Sequence, residues 1–185
     1  LELSSQNIKT HYTVTVSYDT SEPVTEETGD GLRMTRRYYR IAPTDGRSDA
    51  AESQSRMLLR SPCVVTAGDV IEVELEITAD DAAEYVLVED HKPAGFEPLE
   101  RNSGHIGFSA AYRWQRRPEQ VYREFHHERV SFYLPYVSGQ PKTLTYRMRA
   151  ETPAVSVTAL PASAVAMYAP EQSAMTRETV FRVDQ

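Results

Sequence analysis

Histidine and carboxylate side chains come together at two places in this chain, and both invite a chemical reading. Glu124, His126, His127 and Glu128 have the donor types of a metal site. Read on a strand, however, neighbouring residues leave opposite faces, so the two imidazoles diverge instead of closing on one ion. Asp90 and His91 supply two members of a nucleophilic triad, but a triad is defined by three-dimensional geometry that sequence order does not provide. A polar turn accounts for them. Cys63 is the single cysteine. It forms no intrachain disulfide, and without an activating neighbour it reads as a small buried hydrophobe. Glu72, Glu74 and Glu76 form a row that resembles a cation site and equally suits a solvated strand face, where like charges discourage edge pairing. Arg113, Trp114, Arg116 and Arg117, with Tyr112, are the one basic and aromatic cluster. Such side chains stack on a base or a sugar, or clamp a loop to its own domain through the tryptophan. No activated nucleophile, acid–base pair, metal site or cofactor site emerges, and the expectation is a protein that is not an enzyme.

The elements that carry these residues are strands. After the Gly68-Asp69 turn and Val70, the residues Ile71, Val73, Leu75 and Ile77 alternate with the three glutamates, the signature of a half-buried strand. Tyr85 to Val88 begins a second run beyond the polar Asp80-Asp81-Ala82 turn, so the two strands are expected to pair as a hairpin. Pro93, Gly95 and Pro98 are expected to end sheet pairing. Further strands are read at 8–18, 32–41, 57–59, 130–135, 144–149, 155–160 and 178–183, with a loop at 43–56 and an ordered loop or short turn of helix at 102–120. Leu75, Ile77, Val86, Val88, Val130, Phe132, Leu144 and Tyr146 are the expected core. Asp19 to Gly31 carries five carboxylates and no basic residue, and reads as an acidic linker. The sum is an all-β, antiparallel sandwich of immunoglobulin-like or fibronectin-like type. A formal net charge of −7 over 185 residues argues against a nucleic-acid partner. No stretch approaches the roughly 18 consecutive apolar residues of a membrane span.

Two ordered sets of motifs add a resemblance. Val88-Glu89-Asp90 followed by Pro93-Ala94-Gly95-Phe96-Glu97-Pro98 is one. The other runs through Glu124, Arg129, Val130, Phe132, Tyr146, Arg147, Arg149, Ala150, Thr152, Pro153, Pro161, Ala162 and Met167-Tyr168-Ala169-Pro170-Glu171. With the Leu32 to Tyr39 segment, they resemble the C-terminal macroglobulin-like (MG10) domain of bacterial alpha-2-macroglobulins, from about Gly31 to Glu171. His126 and His127 replace an acidic or Arg-Asp pair, and Ala154 replaces a glycine. The family's thioester motif is absent, since Cys63 is followed by Val64, Val65 and Thr66.

The resemblance implies a non-catalytic domain of a periplasmic or envelope-associated, exported protease inhibitor. It implies docking on the thioester domain of the same parent chain, with host or competitor proteases met by the parent. Residues 1–18 are then a return strand from the preceding region, 19–31 a linker and 32–185 the sandwich domain, an excised piece of a longer polypeptide. Met167 and Tyr168 are the candidate residues of the domain interface, large side chains among alanines; the plainer reading is that both fill the core. The alternative for the whole chain is a bacterial surface adhesin or carbohydrate-binding module of similar fold, because fold does not fix function.

Overall fold

The computed structural model describes residue 16 and residues 22–42, 55–100, 102–107 and 120–185. The strand expected at 8–18, apart from Val16, and the Tyr112 to Arg117 cluster lie outside the described residues, as does 43–54 of the expected loop. Described residues form strands and no helix. One sheet has the order β1 (Thr28–Asp30), β14 (Ala169–Met175), β13 (Ser163–Ala166), β6 (Ala83–His91), β10 (Arg129–Val137), β9 (Gln120–Phe125) and β8 (Gly104–Gly107). A second has the order β3 (Arg56–Leu58), β2 (Leu32–Ile41), β5 (Val70–Ala79), β11 (Lys142–Ala150) and β7 (Phe96–Pro98). The third comprises β12 (Ala154–Ala159), β15 (Thr179–Asp184) and β4 (Cys63–Thr66), with β4 and β15 parallel.

The buried faces meet as the alternation requires. Ile71, Val73, Leu75 and Ile77 of β5 point inward, and every expected core residue is buried. Phe132 and Tyr146 bring the first two sheets into ring contact, with centroids 6.4 Å apart. Phe181 of the third sheet lies against Tyr38 at 4.9 Å and Phe96 at 5.1 Å, both from the second. The core is therefore one continuous layer of side chains shared by three sheets.

The expected β5–β6 hairpin is not formed. β5 pairs with β2 and β11, whereas β6 pairs with β10 and β13 in the facing sheet. The Asp80-Asp81-Ala82 turn instead carries the chain across the sandwich. Backbone bonds hold this rim: the Asp80 N–H donates to Gly31 O (2.9 Å) and the Ala79 N–H to Ser138 O (2.9 Å). Period-two alternation identifies a strand and its buried face, but two strands with one oily face each can pair edge to edge or stack face to face. Gly29 and Gly31 mark a similar crossing from β1 to β2. A Cβ at Gly29 would clash with the Leu32 carbonyl oxygen, and Gly31 has a φ of 68° that favours glycine.

Other expectations are corrected at sheet edges. Phe96 to Pro98, expected outside any sheet, forms β7 on the edge of the second sheet, opposite Met148 to Ala150. An edge position tolerates proline because one side of the strand has no ladder to complete. Part of the expected loop at 102–120 is strand β8, paired with β9. β13 and β14 form a hairpin where the sequence suggested only a motif. Residues 22–31, the described part of the acidic stretch, are attached to the sheets: β1 pairs with β14, and Val24 exchanges hydrogen bonds with Glu178.

Candidate docking surface

Met167 and Tyr168 form the turn between β13 and β14 and are 52% and 81% exposed. They do not fill the core. Their prominence also has a different origin from the one expected: Ala162, Ala164 and Ala166 are buried, so it is the turn that lifts the two large side chains out of the sheet. Tyr85 on the neighbouring strand supports them. Its carbonyl accepts the Met167 N–H at 2.9 Å, and its ring meets that of Tyr168 edge to face, with centroids 5.3 Å apart at 89°. Tyr85 itself has a φ of 53°, a left-handed backbone that costs an L-residue about 1–2 kcal/mol. The burial parity of β6 changes beside it, from Ala83 to Val86 and Val88, leaving Tyr85 outside. Tyr85, Val86, Tyr133, Leu134, Pro135 and Met167 line a shallow apolar groove at the foot of the tip. An exposed aromatic and a thioether beside an apolar groove can bury area against a partner; they have no means of making or breaking a bond.

A charged cluster lies in the core beneath the same hairpin. The Arg36 guanidinium donates to Asp90 Oδ1 at 2.6 Å, and Tyr146 donates its hydroxyl to Asp90 Oδ2 at 3.0 Å. Both charged side chains are buried. Arg36 also donates to three carbonyl oxygens: Leu160 at 2.7 Å, Arg177 at 3.0 Å and Ala159 at 3.3 Å. Burial is the largest single influence and opposes the cation, but the Asp90 carboxylate together with Tyr38 and Tyr146 holds the Arg36 pKa above the ordinary arginine value. Burial pushes the Tyr146 and Tyr38 phenols well above theirs. Sequence reading missed this cluster. Asp90, expected in a polar turn with His91, is a fully buried residue of β6, and His91 closes that strand opposite Arg129. The available signal was parity: Arg36 shares it with Leu32, Met34 and Tyr38, and Asp90 with Val86 and Val88.

Of the remaining chemical candidates, His126, His127, Cys63 and the glutamate row lie among the described residues. His126 and His127 stand in the β9–β10 turn, not on a strand as expected, and His126 Nε2 lies 3.2 Å from Glu124. Among the described residues, no three His, Cys, Asp or Glu side chains group as metal ligands. Cys63 is 1% exposed, and burial pushes its thiol up to about 11, which leaves it protonated and unreactive at neutral pH. The glutamate row faces arginines across the second sheet. Glu72 meets Arg56 (3.0 Å) and Arg147 (2.9 Å), and Glu74 meets Arg56 (2.9 Å) and Arg37 (3.4 Å). Because β5 is central in its sheet, the expected protection against edge pairing does not apply there.

Sheets, mainly antiparallel, closed around one core and bearing an exposed hairpin tip define a macroglobulin-like β-sandwich. A family profile described as the bacterial alpha-2-macroglobulin MG10 domain matches residues 31–171. The chain belongs to that family. Its fold is similar to that of native alpha-2-macroglobulin from Escherichia coli in a crystal structure spanning domain MG7 to the C-terminus, with 25% identity and a TM-score of 0.62. That match covers 91% of this chain and 25% of the other. It is also similar to the Y1175G mutant of Salmonella alpha-2-macroglobulin, with 25% identity, a TM-score of 0.59 and coverage of 88% and 10%. The native conformation of the E. coli protein seen by cryo-EM matches at 24% identity and a TM-score of 0.61, over 91% of this chain and 10% of that one. The chain thus spans a quarter or less of these relatives. No curated protein sequence matches it.

Proposed function

We propose that this chain is a non-catalytic docking domain of a bacterial alpha-2-macroglobulin-type protease inhibitor, exported to the periplasm or cell envelope. In this reading the Met167–Tyr168 tip seats on the thioester domain of the same parent and keeps water and small nucleophiles from the thioester until a protease cuts the parent elsewhere. The observation that carries it is a tyrosine 81% exposed at a hairpin tip, its ring against that of Tyr85 and the backbone of the preceding Met167 hydrogen-bonded to the Tyr85 carbonyl. A large aromatic held in place loses little freedom on binding, and such residues dominate interface energetics.

The test is the rate at which the thioester opens in the full-length parent, followed as free thiol. If Tyr168 contributes about 2 kcal/mol to docking, Tyr168→Ala enlarges the undocked fraction, and with it the rate of thiol release, by about thirtyfold. Met167→Ala acts in the same direction. Neither should move the melting temperature of the 185-residue chain appreciably, because both side chains are largely solvated. An unchanged thiol-release rate in both variants rejects the docking role.

A further inference from the structure

The Arg36 hydrogen bonds have an arrangement that strand pairing does not require. The β13–β14 hairpin occupies the interval between Leu160 and Arg177, and Arg36 reaches the carbonyls on both sides of it. At the same base, the Ala162 N–H donates to Thr176 Oγ1 and the Thr176 N–H to Ala162 O, each at 2.9 Å. We infer that Arg36 is a positioning residue for the Met167–Tyr168 tip, fixing both feet of the hairpin, with Asp90 and Tyr146 aiming its guanidinium; the inference rests on the docking role proposed above.

The geometry makes the feet matter. From Ala162 to Met167 is about 16 Å at the strand rise per residue, so a swing of about 10° at the base carries the tip about 3 Å. A displacement of that size unseats an aromatic side chain from a fitted pocket. β6 holds the hairpin at both ends, since Asp90 fixes Arg36 under the feet while the Tyr85 carbonyl takes the Met167 N–H at the tip. Arginine suits the task because its planar fork presents several donors in fixed directions at once. Lysine offers a point charge on a flexible stem and does not reproduce the fork.

Two measurements test the role. One is amide hydrogen exchange in the 185-residue chain, comparing residues 163–168 with β5 and β11. The other is thiol release from the full-length parent. The variants are Arg36→Lys and the paired Arg36→Met with Asp90→Leu, which removes the buried charges together and leaves neither uncompensated. A control, Leu75→Ala, lowers overall stability from a β5 site away from the hairpin. Positioning predicts that exchange at 163–168 rises about tenfold or more in the paired variant, by local opening, while β5 and β11 keep wild-type protection. It also predicts faster thiol release in Arg36→Lys and the paired variant, but not in Leu75→Ala. Wild-type exchange at 163–168 in the paired variant overturns the inference, as does acceleration of thiol release by Tyr168→Ala alone. If exchange at 163–168 rises while no variant, Tyr168→Ala included, alters thiol release, the docking role is rejected and the mechanical role of Arg36 in holding the tip stands.

Discussion

Taking Arg36 and Asp90 out of water costs several kcal/mol per ion, which their mutual attraction and their other hydrogen bonds must offset. Removing one partner leaves the other charged and buried, so Asp90→Ala should lower the unfolding free energy by about 3–5 kcal/mol in urea titrations. Arg36→Met with Asp90→Leu should recover most of that loss. A similar result for the single and the paired variant would mean that the charges are not energetically coupled. Cys63 and the buried tyrosines set the alkaline limit. The folded thiol, raised by burial to about 11, lies above its unfolded value of about 8.5, so its contribution is complete below about pH 8.5 and is lost as pH climbs toward 11. Tyr38 and Tyr146, raised in the same sense, extend the loss above about pH 10. Melting temperatures taken from about pH 8 to 11 should therefore fall, with Cys63→Ala flattening the first part of the decline. Residue roles were legible only where polarity and parity agreed. Leu75 and Phe132 could be placed inward at once, whereas Arg36 and Asp90 sit on inward parities with polar side chains, and pairing between them exists only once two sheets face each other.

Strand alternation made β5, β10 and β11 readable because large apolar residues mark one face, whereas β2 was legible as a strand but not by its buried face, since arginine and tyrosine stand on both. β13 and β14 escaped because alanine and serine give little contrast between in and out, and β7 escaped because three residues cannot establish a period. The β5–β6 connection was misplaced for the reason already visible at its turn: the same faces serve a hairpin or a crossing. Two predictions belong to this scale. Tyr85→Gly relieves a left-handed backbone worth about 1–2 kcal/mol but deletes the ring that braces Tyr168. The melting temperature of the chain should hold or rise while nuclear magnetic resonance shows faster motion of the Tyr168 ring, and a large loss of stability would show that β6 needs the Tyr85 side chain. On the outer face of the second sheet, burial alone would raise the Glu74 pKa, but Arg56, Tyr39 and Arg37 bring it below the ordinary value. The folded value then lies under the unfolded one, so this contribution is present above about pH 4.3 and disappears as pH falls through the folded value. These partners are solvent-accessible, and a Glu74–Arg56 double-mutant cycle at about pH 7 should give about 1 kcal/mol or less.

At the scale of the molecule, the described part of the sandwich carries an exposed hairpin tip suited to contact. Its only cysteine is buried and protonated, its Glu72 and Glu74 are matched by arginines, and among the described residues its most exposed large apolar side chains at a turn are Met167 and Tyr168. Membership of the bacterial alpha-2-macroglobulin MG10 family accounts for the fold, and the matched piece is 25% of one relative's chain and 10% of another's, so most of each relative lies outside it. The most direct measurement replaces Tyr168 with a photo-cross-linking amino acid in the full-length parent and maps the adducts by mass spectrometry before and after protease treatment. Docking predicts adducts on the thioester domain in the native protein that vanish once the protease has cut. Adducts confined to this domain, or unchanged by cleavage, would contradict it.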